Sequence, residues 1–274
     1  MIVTRFAPSP TGFLHLGHAF AAFNAWKRAR DAGGRFLLRL EDIDPTRCRP
    51  DYADAIQEDL AWLGLDWDGP VRVQSRHLPD YRAVLDHLAE RGLIYPCFCT
   101  RADIAASAAA RHAPTGAPLY PGTCRSRSPS ERAARIAARE RFALRLDMTA
   151  ANRFELTYEE EEAGRIACHP EQFGDVVLAR KDTPASYHLC VTHDDAAQGV
   201  TLVTRALDLR PATDLHRLLQ ALMGWPTPAY AHHLLLTDDT GRRLAKRDKA
   251  VTLRSLRAEG ISARTIIQRI DQSQ

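Results

Sequence analysis

The chain has 274 residues, 45% of them hydrophobic and 26% charged, which is the composition of a globular protein with room for one large domain and an insertion, or for two modest domains. No apolar stretch reaches the ~18 residues that a membrane helix needs, and no basic segment followed by an apolar run opens the chain. Both observations favour a cytoplasmic protein, and the net charge of +3 points to no particular partner.

Strands and helices alternate at the start of the chain. Residues 2–6 predict a buried strand, residues 15–32 a helix that stops at a Gly-Gly pair, and residues 35–40 a second strand. Strand, loop, helix and strand within about forty residues indicate a right-handed βαβ unit of a parallel sheet. The loop over residues 8–12 should then lie at the edge where such sheets bind ligands.

The pattern breaks from Cys97 to about His169, where proline and glycine accumulate, and we interpret this stretch as an insertion in the sheet. Helices are predicted over residues 51–63, 78–91, 130–141, 208–223, 252–259 and 262–270. Strands are predicted over residues 93–98, 175–180, 187–191 and 200–204.

His15 and His18 lie three residues apart at the start of a predicted helix and therefore share one face. A helix N-terminus offers N–H groups and a partial positive charge, and two imidazoles beside it could bind a phosphate that gains charge during displacement. Gly17 leaves room for a nucleotide to come close. Each histidine alone could simply cap the helix, but the whole string favours a phosphate site.

The end of the chain is basic. Residues 242–274 contain nine Lys/Arg and three Asp/Glu. Such a segment could contact phosphates, or it could be a solvated helical surface, and charge alone does not choose between the two.

Three ordered motifs carry a family resemblance: RFAPSPTG and LHLGH within residues 5–18, LRLEDIDPTR at 38–47 and RRLAKRD at 242–248. They resemble the motifs of class I glutamyl-tRNA synthetases. The resemblance implies an α/β fold with a Rossmann-type parallel sheet, and the use of ATP, with Mg²⁺, to form an aminoacyl-adenylate and pyrophosphate. It places at the ATP phosphates His15, Gly17, His18, Arg243 and Lys246, with His15, His18 and Lys246 as the catalytic groups.

A pocket for glutamate needs two cations and one anion in a partly desolvated site. Arg5 and Arg205 could supply the cations and Glu41 the anion, although each could equally belong to an ordinary salt bridge or loop. The resemblance implies a pocket made of Arg5, Ala7, Ser9, Glu41, Tyr187 and Arg205. In it the serine and the glutamate would hold the ammonium group, and the arginines and the tyrosine, at strand-end positions, would hold the carboxylates.

Three cysteines suggest a metal. Cys97 and Cys99 would face the same side of a strand, and Cys124 follows a turn, so three thiolates leave one tetrahedral position on a structural zinc ion. His112 is the chemically ordinary fourth ligand, whereas the Cys-x-Cys…Tyr-x-x-x-Cys pattern of truncated glutamyl synthetases implies Tyr120. The alternative is three inert, buried cysteines.

We therefore predict a split catalytic domain over residues 1–96 and 175–240, a zinc-bearing subdomain that resembles the acceptor-end-binding insertion over 97–174, and a lysine-motif loop with a short helical tail over 241–274. The sequence ends 28 residues after Lys246, so no anticodon-binding domain is expected. This short form resembles the glutamyl-Q tRNA(Asp) synthetases. It implies an enzyme that activates L-glutamate without tRNA and esterifies it to queuosine at the first anticodon position of tRNA(Asp). We expect a monomer.

Four positions depart from the family pattern: Ile43, Ala206, Arg243 and Ala245. They bear on the rate and on loop closure more than on the reaction. Three rival interpretations are the catalytic fragment of a standard glutamyl- or glutaminyl-tRNA synthetase, a small-molecule adenylyltransferase, and a catalytically inactive zinc-bearing RNA-binding module. The intact His15, His18 and Lys246 argue against the last.

Overall fold

A computed structural model of the chain describes residues 1–107, 112–114, 116–234 and 251–272. Its helices are α1 (Leu16–Asp31), α2 (Pro50–Leu63), α3 (Leu78–Glu90), α4 (Arg101–Ser107), α5 (Pro129–Ala137), α6 (Met148–Ala151), α7 (Tyr187–Ala197), α8 (Ala212–Met223), α9 (Leu253–Ala258) and α10 (Ala263–Asp271). Its strands are β1 (Val3–Phe6), β2 (Arg35–Leu40), β3 (Arg72–Val73), β4 (Ile94–Cys97), β5 (Ala143–Leu146), β6 (Thr157–Glu160), β7 (Gly164–Ala167), β8 (Val177–Ala179), β9 (Leu202–Ala206) and β10 (Ala229–His233).

Parallel strands form the centre of the fold. Strand β2 lies between β1 and β3 and is parallel to both, and strand β10 lies between β9 and β6 and is parallel to both. The two sets meet where the backbone N–H of Thr201 donates to the carbonyl oxygen of Val3 at 3.0 Å. Helix α1 connects the parallel strands β1 and β2, so the predicted βαβ unit and parallel sheet are confirmed.

The middle of the chain adds two antiparallel elements. Strands β4, β5 and β8 form a separate antiparallel sheet, and β6 and β7 form a hairpin. Glu160, the last residue of β6, lies beside Tyr230 of β10, so this hairpin extends the central sheet. Among the residues that the structure describes, no helix is long and apolar enough to cross a membrane.

The prediction of a strand over residues 187–191 is wrong, and with it the strand-end position of Tyr187. The segment is the first half of helix α7, and Ser186 caps it by accepting a hydrogen bond from the backbone N–H of Leu189 at 3.4 Å. Its β-branched and aromatic residues favour a strand locally, but burial against α3 and α8 decides the conformation. Leu189 and Cys190 are fully buried there.

The helical tail packs against the first loop of the chain. Leu253 is fully buried among the side chains of α1 and α10, and its N–H donates to the carbonyl oxygen of Leu14 at 2.8 Å. Thr252 forms a single antiparallel bridge with His15. The tail therefore supports the loop that precedes α1.

We expect Leu253→Ala to lower the free energy of unfolding by about 2–5 kcal/mol, because it leaves a cavity between α1 and α10. The exposed neighbour Val251 provides the control, since Val251→Ala should change stability by less than about 0.5 kcal/mol. Urea unfolding of both variants measures the difference. Equal stability of the two variants would contradict this packing of Leu253.

Candidate active site

One cavity of about 380 Å³, the main cavity, opens where β1, β2 and β9 reach their carboxyl ends. Eight residues singled out in the sequence line it: Arg5, Ala7, His15, Gly17, His18, Glu41, Tyr187 and Arg205. A side cavity of about 230 Å³ is lined by Ser9 and shares Glu41 and Tyr187 with the main cavity. Five separate segments of the chain thus meet at one place.

Of the four departures from the family pattern, Ala206 lines the main cavity and Ile43 lines the side cavity. Arg243, Ala245 and the predicted catalytic Lys246 lie outside the described residues.

His15 and His18 form a reciprocal cap at the start of α1. His15 Nδ1 accepts a hydrogen bond from the N–H of Gly17 at 3.1 Å, and His18 Nδ1 accepts one from the N–H of His15 at 3.3 Å. Their ring centroids are 3.8 Å apart. Because each Nδ1 accepts, each neutral ring carries its hydrogen on Nε2, which makes Nε2 a donor. Two such donors at a helix N-terminus suit an anionic oxygen.

Arg5 lies buried beneath the main cavity and is paired with a carboxylate. Its Nε donates to Asp195 Oδ1 at 2.9 Å, its Nη2 to Asp195 Oδ2 at 3.3 Å and its Nη1 to the carbonyl oxygen of Thr204 at 3.2 Å. Asp195 Oδ1 also accepts from Arg39 Nη2 at 2.5 Å. Burial opposes the charge of Asp195, but the two arginines outweigh it and hold the pKa of this carboxyl below its ordinary value.

Glu41 follows β2 and faces both cavities. Its side chain is buried, and burial raises its pKa to about 7 even though Arg39 and Arg5 act in the opposite direction. A cation in direct contact with such a buried carboxyl stabilises its ionised form.

Arg205 has a different environment from Arg5. Its Nε donates to His232 Nε2 at 3.1 Å, its Nη1 to His216 Nδ1 at 3.0 Å and its Nη2 to Thr213 Oγ1 at 2.6 Å. Among the residues that the structure describes, no carboxylate forms an ion pair with it. A buried guanidinium held only by neutral acceptors can bind an incoming carboxylate.

The histidines around Arg205 are neutral. His216 faces His188 across 3.1 Å, from its Nε2 to His188 Nδ1. Burial and the charge of Arg205 lower the pKa of His188 and of His232 to about 4 and bring that of His216 well below its ordinary value. These three histidines were not predicted from the sequence, because they come from α7, α8 and β10 and form no regular pattern along the chain.

The three predicted thiols lie together. The sulfurs of Cys97, Cys99 and Cys124 all fall within 4.8 Å of one another, and those of Cys99 and Cys124 are 3.6 Å apart. Tetrahedral zinc with bonds of about 2.3 Å places sulfurs about 3.8 Å apart, so the group fits this metal. Burial opposes ionisation of Cys124, but hydrogen bonds from Tyr120 and from the N–H of Phe98 lower its pKa to about 6.

The hydroxyl of Tyr120 borders the sulfurs, 3.5 Å from Cys99 Sγ, and accepts a hydrogen bond from the N–H of Cys124 at 2.8 Å. Within the described part of the chain, no histidine or carboxylate joins the three-sulfur group; His112 instead bridges Pro118. The geometry therefore puts Tyr120, and not His112, beside the thiols.

Comparison with known proteins shows the family of the chain. Residues 1–272 match the family model of the class I tRNA synthetases (E and Q), catalytic domain. The chain is 51% identical over 272 residues to the glutamyl-Q tRNA(Asp) synthetase of Rhodobacter capsulatus, an alignment that covers 95% of this chain and 96% of that protein. It is 46% identical to the protein of the same name from Nitratidesulfovibrio vulgaris, over 97% of this chain and 84% of that protein.

A solved structure shows the same fold. The glutamate tRNA ligase of Elizabethkingia meningosepticum, in complex with its amino acid, superposes with a TM-score of 0.77 at 28% identity. The superposition covers 90% of this chain and 52% of that one, so this chain spans about half of the longer ligase. The chain belongs to the class I tRNA synthetases of the E and Q type, and it is therefore a ligase.

Neutral buried histidines predict acid sensitivity. The unfolded chain takes up these protons near pH 6.5, whereas folded His188 and His232 do so only near pH 4, so stability falls as the pH drops through this window. Each such histidine should cost about 1.4 kcal/mol per pH unit. We expect the slope of unfolding free energy against pH to be shallower in His188→Gln, but not in His87→Gln on the exposed face of α3. An unchanged slope in His188→Gln would sink this explanation.

Proposed function

We propose that the protein activates L-glutamate with ATP in the absence of tRNA and then transfers the glutamyl group to queuosine at the first anticodon position of tRNA(Asp). The observation that carries the proposal is the meeting of Arg5, Glu41 and Arg205 with His15 and His18 in the main cavity. The relatives named for this activity align over 96% and 84% of their lengths.

Activation begins with glutamate and ATP held side by side. An oxygen of the glutamate α-carboxylate attacks the α-phosphorus of ATP, the bond to the bridging oxygen breaks, and pyrophosphate leaves with the electron pair. The Nε2 donors of His15 and His18, with the positive end of the α1 dipole, stabilise the charge that grows on the phosphates, while Mg²⁺ accompanies the nucleotide. Lys246 would add a further cation to the leaving pyrophosphate.

The charges of the cavity suit an amino acid that has two carboxylates. The ammonium group would lie against Glu41, with Ser9 beside it, and this contact would lower the pKa of Glu41 and keep it ionised. Arg205 lacks a carboxylate partner among the described residues and would take one substrate carboxylate, while Arg5 and Tyr187 border the same space with Ala7.

Transfer completes the reaction. A hydroxyl of the queuosine cyclopentenediol attacks the carbonyl carbon of the glutamyl-adenylate and gives up its proton. The bond between that carbon and the phosphate oxygen breaks, and AMP leaves with the electron pair. The choice of this acceptor rests on the names of the two relatives described above, since the pocket for glutamate would serve a standard glutamyl-tRNA synthetase equally well. The monomeric state and the cytoplasmic location expected from the sequence stay predictions.

Cys97, Cys99 and Cys124, with Tyr120 as fourth ligand, would hold a structural zinc ion. The small apolar cluster around these thiols gives the segment little core of its own, so a metal would add the stability that packing alone does not supply. Because the thiols are separate from the main cavity, zinc has no part in the adenylate chemistry.

The proposal predicts ATP–pyrophosphate exchange with L-glutamate in the absence of tRNA, and glutamylation of tRNA(Asp) only when it carries queuosine. Matched tRNA(Asp) transcripts without queuosine and tRNA(Glu) are the controls for the second step. Arg205→Gln, which keeps the size of the pocket but removes the guanidinium charge, should reduce exchange with glutamate by at least about a hundredfold.

Each result separates the rival functions. No exchange with glutamate in the absence of tRNA contradicts the proposal as a whole. Exchange followed by charging of tRNA(Glu) at its 3′ end points to a standard glutamyl-tRNA synthetase. Equal charging of tRNA(Asp) with and without queuosine removes the queuosine assignment but keeps the activation step.

The zinc site predicts close to one zinc ion per chain in purified protein. Cys99→Ser should lose most of it, whereas Cys168→Ser, a cysteine outside the three-sulfur group, should retain it. Chelation should lower the midpoint of thermal unfolding before it affects pyrophosphate exchange, because the ion acts through folding. Metal analysis that finds no zinc in a protein of full stability would refute the site.

A further inference from the structure

The guanidinium of Arg205 is held at one end of a hydrogen-bonded chain that leads away from the main cavity. Arg205 donates from Nε to His232 Nε2, and an arginine cannot accept, so the lone pair of this imidazole must lie on Nε2. The hydrogen of the neutral His232 ring is therefore on Nδ1, and it points to Glu160 Oε2 at 2.6 Å. The order Arg205, His232, Glu160 fixes the direction of both hydrogen bonds.

The side chain of Glu160 accepts two hydrogen bonds from His232. Its other oxygen, Oε1, accepts the backbone N–H of His232 at 3.0 Å. The side chain of His232 is 1% exposed and that of Glu160 is 6% exposed, so water cannot easily replace either contact. The carboxylate thus holds both the ring and the backbone of the residue that orients Arg205.

The terminal nitrogens Nη1 and Nη2 of Arg205 form a two-pronged donor, the Arg205 fork. His232, His216 and Thr213 use one hydrogen on each of its three nitrogens. Of its five N–H groups, one on Nη1 and one on Nη2 therefore have no acceptor among the residues that the structure describes. One remaining donor on each terminal nitrogen can meet the two oxygens of one carboxylate.

We propose that Glu160 is a positioning residue for amino-acid recognition, which acts through the tautomer of His232 to aim the Arg205 fork at a substrate carboxylate. Glu160 does not line the main cavity, and it comes from the β6–β7 hairpin, far in sequence from the motifs that form the site. The inference rests on the proposed function, because it takes glutamate as the ligand of Arg205.

The isosteric change Glu160→Gln tests the direction of the chain. The backbone N–H of His232 needs an oxygen opposite it, so the new amide would turn its NH₂ group toward Nδ1. The ring would then have to accept at Nδ1 and carry its hydrogen on Nε2, where it meets the Nε–H of Arg205. Turning the amide over only moves the clash of donors to the backbone.

We expect Glu160→Gln to raise the KM for L-glutamate in pyrophosphate exchange by about tenfold to a hundredfold, while the KM for ATP stays within about twofold. Direct calorimetric binding of L-glutamate should weaken by the same factor. Glu159→Gln is the matched control, since this exposed neighbour on β6 pairs with Arg165 on the surface, and it should behave as the wild type.

A double-mutant cycle distinguishes positioning from simple support of the fold. If Glu160 acts through His232, then Glu160→Gln should have no further effect on the KM for glutamate in a His232→Ala background. An unchanged KM for glutamate in Glu160→Gln overturns the inference, and so does a lower thermal midpoint accompanied by an equal loss for glutamate and ATP. A wild-type protein without glutamate exchange would refute the proposed function itself, which separates that failure from this one.

Discussion

The site depends on the ion pairs of one buried carboxylate, that of Asp195. It joins Arg5 of β1 to Arg39 of β2 and belongs to α7, so one buried anion fastens two central strands to the helix that begins at Tyr187. Removal of one partner from such a buried pair leaves an uncompensated charge and generally costs about 3–5 kcal/mol. The position of α7 over the sheet, and with it one wall of the main cavity, follows from this contact.

The neighbouring carboxylate strengthens the same junction. Asp194 is fully buried and accepts hydrogen bonds from Arg72, Gln74 and Tyr81, each at 2.9 Å. Although burial opposes ionisation, a hydrogen bond with His193 and the charge of Arg39, among others, lower its pKa to about 2. The two arginines of the main cavity consequently differ: Arg5 is already paired through this network, while Arg205 is surrounded by neutral groups.

Much of the fold could be predicted because its signals are local. The spacing of apolar residues and the Gly-Gly stop marked α1 within a residue of its ends, and the two flanking strands followed from short apolar runs. Arg5, Glu41 and Arg205 could be singled out only because motifs and family resemblance fixed their places. Tyr187 lines the main cavity, but it was assigned to the wrong element, since the capping Ser186 and the burial of α7 outweigh local strand propensity.

The hydrogen-bonded histidines show what a single sequence cannot give. The three histidines near Arg205 lie on separate elements, and only folding brings them together: His188 on α7, His216 on α8 and His232 on β10.

The hairpin β6–β7 also contributes to a site that lies far from it in the sequence. It lies in a stretch that interrupts the catalytic sheet, yet Glu160, the last residue of β6, holds a histidine of β10. Exchange of this stretch between two relatives would therefore transplant part of the support of the amino-acid pocket, so the stretch and the pocket are expected to evolve as one unit.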